Sequence, residues 1–330
     1  MVLVEARAGD QTGIGFTYAS EAAAFLIREK LASIVLHKNA MDIAGIWGEM
    51  AREVRNIGRP GIASMAISGV DIALWDLKAR LMELPLVQLL GPVRQSIPAY
   101  GSGGFTSYSI AQLKKQLGGW AKERLTAVKM KVGREPNKDL ARVRAAREAV
   151  GPDIELFVDA NGAYARKQAL QKAEEFAEEG VTWFEEPVSS DDLEGLRLLR
   201  DRAPAGMQIA AGEYGFDANY FRRMLEAQAV DTLQADVTRC GGITGMMQVG
   251  ALCEAFQVPL SAHTAPSIHQ HVCCALGRAA NVEYFFDHYR IEQMLFNGAA
   301  MPQQGQLAPD LSRPGLGLDF RHSQAAKYRV

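Results

Sequence analysis

Between residues 154 and 188 the chain reads IELFVDANGAYARKQALQKAEEFAEEGVTWFEEPV, and this stretch holds one complete structural unit. It begins with a short apolar run, IELFVD, that ends on Asp159. A segment of helical period follows, RKQALQKAEEFAEEG, and then a second apolar run, TWFEE, that reaches Glu185. A strand, an amphipathic helix and a strand in that order make a unit of parallel sheet, because parallel neighbours need a long crossover between them. Both strands close on an acidic side chain.

The unit repeats on either side. Short apolar runs IPAY, AVKMKV, IELFVD, TWFEE, MQIAAGE, TLQAD, PLSAH and VEYFF alternate with helical segments such as GITGMMQVGALCEAFQ, giving eight strands. Eight βα units predict an α/β fold whose parallel sheet closes into a barrel; an open doubly wound sheet is the alternative that spacing leaves. The front of the chain follows another pattern. VLVEARAG and TGIGFTY, separated by Gly9-Asp10, predict a hairpin over residues 1–18. Apolar residues at helical spacing predict a helix from Pro60 to Leu84, ending before Pro85. LLGPVRQ then marks a boundary.

With 48% hydrophobic residues in 330, the chain can bury a large core. Thirty-six basic against 38 acidic side chains give a net charge of −2, which supplies no attraction for nucleic acid or an anionic membrane; the expected partner is a small molecule. The longest apolar segment carries Asp71, Asp76, Lys78 and Arg80, which argues against a membrane span. The first ten residues lack the apolar core of a signal peptide. Cys240, Cys253, Cys273 and Cys274 lack CxxC spacing and read as buried free thiols of a cytoplasmic protein.

In a barrel of this kind chemistry sits at the carboxyl ends of the strands. Asp159, Glu185, Glu213, Asp236 and His263 are each the first ionisable group after an apolar strand, spaced 23 to 28 residues apart, and Glu283 lies on the last strand. They should converge on one rim. Asp159, Glu185 and Glu213 would repel one another without a cation, and an oxygen-rich cluster suits Mg²⁺. Glu186 is a rival ligand that should point away if the strand continues to it.

Lys129 and Lys131 share the inner face of the strand before Asp159, so both reach toward the same centre. A lysine beside another cation has a depressed pKa and can act as a base near neutrality. Asp236 can hold one imidazole nitrogen of His263, making a second base across the mouth. Glu283, if protonated, can hydrogen-bond a developing oxyanion. GSGGF at 101–105 lacks a dinucleotide fingerprint and reads as backbone making room for substrate. His269 and His271 read as structural, and His288 is a further candidate for the rim.

These motifs, VKMKVG, VDANGAY, FEEPV, Gly212-Glu213, ADVTRCGGIT, SAHTAP and VEYFFDH, resemble in content and order the mandelate racemase subgroup of the enolase superfamily. The helix ISGVDIALWDLKARLMELPLVQLLG is similar to the one that ends that family's capping domain. The resemblance implies a (β/α)7β barrel over residues 94–298, a smaller α+β capping domain over 1–93, and a segment 299–330 that returns to the cap. It implies Mg²⁺ held by Asp159, Glu185 and Glu213. Lys131 or the His263–Asp236 pair would take the proton α to a carboxylate, with Lys129 and Glu283 stabilising the enediolate.

The activity implied is an acid-sugar dehydratase, a lyase that also expels the β-hydroxyl, with His263 as general acid. A racemase or epimerase of a 2-hydroxy acid and a catalytically idle binder are the alternatives. The resemblance also implies a homo-oligomer. Family members open with two further strands and a mobile loop over the substrate. This chain starts in what looks like their third strand, which implies a cap shortened at its beginning.

Overall fold

A computed structural model describes residues 1–328. Strands β1 (Val2–Ala8) and β2 (Gln11–Thr17) form the expected hairpin, with Ala8 opposite Gln11 across the two-residue turn Gly9-Asp10. Helices follow, the longest being Ile62–Leu81. It stops three residues short of the sequence reading. Glu83 adopts φ +55°, and this left-handed residue ends the helix before Pro85 can.

The barrel strands are β3 (Ile97–Gly103), β4 (Ala127–Lys131), β5 (Glu155–Asp159), β6 (Val181–Glu185), β7 (Gln208–Ala211), β8 (Thr232–Ala235), β9 (Leu260–Ala262) and β10 (Ala279–Phe285). Each pairs in parallel with the next, and β10 pairs with β3, Glu283 opposite Tyr100, so the sheet closes. Seven helices connect the eight strands, and an eighth, Phe286–Leu295, follows β10.

Strand alternation sorts the barrel's side chains into two layers. Val128, Met130, Leu156, Val158 and Phe184 face outward and join the main core with the surrounding helices. Tyr100, Ala127, Phe157, Trp183 and Ala210 form a separate inner cluster, in which Phe157 and Trp183 stack at 5.0 Å. This aromatic floor closes the barrel beneath the polar rim. Gly101 of the GSGGF run makes room for a helix rather than for substrate: a Cβ there would lie 2.5 Å from the Trp120 ring.

The cap has its own core, with Ile43, Ile46, Met50, Val54, Ile67 and Val70 buried together. The tail returns to it. Leu86 N–H donates to the Gly315 carbonyl, Gly315 N–H to the Leu84 carbonyl, and Arg80 to the Leu318 carbonyl. Buried Asp76 accepts from the N–H of Ile14 at 2.7 Å and of Leu316 at 2.6 Å, tying hairpin, helix and tail together. All four cysteines are free and buried. No helix among the described residues is long and apolar enough to cross a membrane.

Candidate active site

The register of the sheet places the polar groups on one level. Lys131 lies opposite Asp159, and Asp159 opposite Glu185, on three neighbouring strands. Glu213 stands just past β7, behind Gly212 with φ +133°, where a Cβ would lie 2.2 Å from the Gln234 carbonyl oxygen. Only glycine allows that approach, and the bend it permits turns Glu213 into the barrel. Asp236 and His263 are the first residues beyond β8 and β9.

The sequence-nominated residues meet in one cluster. Asp159, Glu185 and Glu213, all buried, each offer an oxygen within 4.8 Å of the others. The Lys129 ammonium is fully buried, 2.6 Å from both oxygens of Glu185, 2.9 Å from Glu283 and 3.8 Å from Asp159. Lys131 contacts Asp159 directly. His263 Nδ1 lies 2.9 Å from Asp236, and its Nε2 lies 3.0 Å from Glu213 and 3.6 Å from Glu283.

Two neighbours were missed or set aside by the sequence reading. Arg239, three residues past Asp236, stands 3.4 Å from that carboxylate and 3.8 Å from Glu213. Its signal was its position as the first base after β8. Glu186 was expected to point away, but β6 ends at Glu185 and Glu186 takes φ +38°, so strand alternation no longer governs it. Glu186 is buried with Oε1 lacking a hydrogen-bond partner, and it feels the charges of Glu213, Asp159, Glu185 and Lys131.

The cluster is short of positive charge. Six acids (Asp159, Glu185, Glu186, Glu213, Asp236, Glu283) face Lys129, Lys131, Arg239 and a protonated His263, a deficit of two. Protons fill it. Burial, with Asp159 next in effect, pushes Glu185 up to about 8 against the pull of Lys129, and burial with Glu213 pushes Glu186 up to about 9. Glu213 is held well below the carboxylate range because His263 and Lys131 outweigh its burial. A divalent cation would supply the missing charge, and the donor set, three buried carboxylates, fits Mg²⁺.

The same electrostatics bear on two expectations. Burial lowers the Lys131 pKa, but contact with Asp159 more than offsets it, so the pKa is raised rather than depressed. Glu283 could donate to an oxyanion only if protonated, and that condition is not met: although burial opposes ionisation, Lys129 and His263 hold it down at about 2. His263 itself is desolvated, yet Glu213, Glu283 and Asp236 lift it to about 10, so it stands as a proton donor.

His288 stacks on Tyr18 of the cap at 3.6 Å, and burial lowers it to about 4, which keeps it neutral beside the pair. His269 and His271 bond backbone groups at Thr264, Val237 and Leu316, consistent with a structural role.

Two family models cover most of the chain. Residues 1–91 match the N-terminal domain of mandelate racemase / muconate lactonizing enzymes, and residues 112–324 match the enolase C-terminal domain-like family. The chain belongs to the mandelate racemase subgroup of the enolase superfamily. Its barrel and α+β cap are that superfamily's fold.

Among relatives within the superfamily, an L-talarate/galactarate dehydratase of Salmonella typhimurium is 32% identical over 325 residues, 96% of this chain and 80% of its own. A mandelate racemase/muconate lactonizing enzyme-like protein of Rubrobacter xylanophilus is 53% identical, with a TM-score of 0.97 over 98% of this chain and 90% of its own. An L-talarate dehydratase of Polaromonas, crystallised with Mg and L-glucarate, is 32% identical, with a TM-score of 0.87 over 97% of this chain and 88% of its own.

Proposed function

We propose that the chain is a magnesium-dependent acid-sugar dehydratase, a lyase acting on an aldonate or aldarate. One observation carries the reading. The acidic row is bracketed by proton-transfer groups, Lys131 against Asp159 at one end and His263 3.0 Å from Glu213 at the other. Dehydratases with this fold among its relatives support the substrate class.

Asp159, Glu185 and Glu213 would hold Mg²⁺, which when bound polarises the substrate carboxylate and acidifies its α-carbon. With Asp159 turned to the metal, Lys131 would lose the partner that raises its pKa, give up its proton to solvent, and as the neutral amine take the α-proton at its Nζ. Lys129, buried among Glu185 and Glu283, faces the charge that develops on the carboxylate oxygens. Ionised Glu283 fixes Lys129 and His263 rather than donating itself. His263, charged and held by Asp236, then gives its Nε2 proton to the leaving β-hydroxyl. Either outcome uses the same protonated imidazole, as acid to the β-hydroxyl in elimination or to the opposite face of the α-carbon in racemisation; the dehydratases among its relatives favour dehydration.

Incubation with a panel of aldonates and aldarates in Mg²⁺ should yield a 2-keto product from at least one. Lys131→Ala and His263→Asn should each abolish it. α-Deuterium incorporation without keto product would instead identify a racemase, and the absence of both across the panel would leave a binder.

A further inference from the structure

Asp236 owes its orientation to the turn that follows it. Its Oδ1 accepts from the Thr238 N–H at 2.7 Å and from the Thr238 hydroxyl at 2.7 Å, leaving Oδ2 to face His263 Nδ1 at 2.9 Å. The Thr238 carbonyl in turn accepts the hydroxyl of Thr17 at 2.8 Å. Thr17 is the last residue of cap strand β2, 221 positions away in sequence. Both threonines are buried, at 0% and 1% exposure.

A hydroxyl in that position needs an explanation. Valine has nearly the same shape and the same preference for a strand, and it would carry no polar atom to satisfy. The surrounding contacts supply a reason. Three more cap side chains grip the same turn: Ser68 Oγ accepts from the N–H of Gly241 and Gly242, Trp47 donates to the Gly241 carbonyl, and Asp71 accepts from Thr244. From the barrel side, His269 Nε2 accepts from the Val237 N–H. Residues 237–244 are thus held at both ends, and Thr17 is the cap contact nearest Asp236.

We propose that Thr17 is a positioning residue for the Asp236–His263 pair, acting through Thr238, so that the cap sets the geometry of a proton-transfer group in the barrel. The catalytic part of the test rests on the dehydratase reading; the spectroscopic part does not, because it needs no substrate. In the full chain loaded with Mg²⁺, the low-field proton resonance of His263 Nδ1–H reports its bond to Asp236. Thr17→Val should move or broaden that resonance and lower kcat about tenfold, the rate equivalent of one net hydrogen bond, with KM within about twofold. Thr17→Ser, which keeps the hydroxyl, should restore both.

Val54→Ala, in the cap core away from the turn, serves as the stability control and should leave the resonance in place. In a Thr238→Val background, Thr17→Val should have a smaller effect than in the parent, because the relay is already cut. An unchanged resonance in Thr17→Val overturns the proposal. So does an equal effect from Val54→Ala at matched loss of Tm, or full additivity with Thr238→Val. An unchanged resonance without any substrate found overturns it independently of the dehydratase reading, while an altered resonance without turnover refutes only that reading.

Discussion

Magnesium should displace protons from this protein. The metal-free cluster lacks two positive charges, and Glu185 and Glu186, pushed up to about 8 and about 9, take up protons in their place. At pH 7 a carboxyl with a pKa near 8 is about nine-tenths protonated, and the values belong to the coupled cluster rather than to one residue. A cation that binds Glu185 must expel that proton, and its field draws a second from Glu186.

The sign follows directly. Groups whose pKa falls on binding release protons, so affinity rises with pH until they are ionised beforehand. We expect about one to two protons released per Mg²⁺ at pH 7 and almost none above about pH 10. Affinity should climb about ten- to a hundredfold per unit between roughly pH 6 and 8, more slowly to about pH 10, and then flatten. Titration calorimetry in PIPES, HEPES and Tris, whose ionisation heats differ, reads the proton count directly. Release below about 0.2 proton at pH 7, with a pH-independent affinity, would show the acids already ionised and refute the charge deficit.

The cluster and the cap yield three further expectations. Lys129→Met strands the buried acids Glu185 and Glu283 and should cost about 3–5 kcal/mol in urea unfolding of the chelated protein; Mg²⁺ should recover more stability in the variant than in the parent, and a loss under about 1 kcal/mol contradicts the pairing. Asp71 and Glu292, raised to about 7 by burial, hold protons in the folded state that the unfolded chain gives up near pH 4. Stability of the chelated protein should therefore fall as pH rises from about 4.5 to 7, and Asp71→Asn or Glu292→Gln should each flatten part of that slope in pH-resolved melts. Glu186→Gln replaces a buried acid by a neutral shape, so its Tm without metal should exceed the parent's by a margin that widens toward pH 9; a lower Tm throughout would place Glu186 in a stabilising pair.

Much of the barrel was legible because two periods in the sequence are physically enforced. The alternation of period two sends Lys129 inward and Val128 and Met130 outward, and βα spacing of 23 to 28 residues puts one polar group on each stave. Local rules failed where the backbone leaves those periods. Glu186 turns inward because its φ is positive, and Gly101 yields to Trp120 on a helix that begins nine residues later. Charge states failed for another reason. Lys131 was judged by burial and its sequence neighbour Lys129, whereas Asp159, across the sheet, with Glu213 and Glu185 outweighs both. Glu283 was judged alone, although Lys129 and His263 close on it from β4 and β9.

The division into layers explains how the fold tolerates so repulsive a centre. Asp159 and Glu185 end their own strands and Glu213 stands just past a third, and each strand is fixed by an outward apolar row packed on helices, such as Leu156 and Val158 beside Asp159 or Phe184 beside Glu185. Hydrophobic burial outside the barrel therefore holds like charges together inside it, at about 25 cal/mol per Å² of apolar surface removed from water. The aromatic floor of Tyr100, Phe157 and Trp183 keeps water from screening the charges from below. The poor screening that raises the carboxyl pKa values is also what would give a bound divalent cation its leverage over a substrate carboxylate. The cap completes the arrangement from the opposite side: its threonine, serine, tryptophan and aspartate fix the turn 237–244, which follows Asp236 and carries its partner Arg239. Hydrogen bonds from a second domain thus reinforce the contacts of Arg239 and His263 that hold Asp236 from within the barrel.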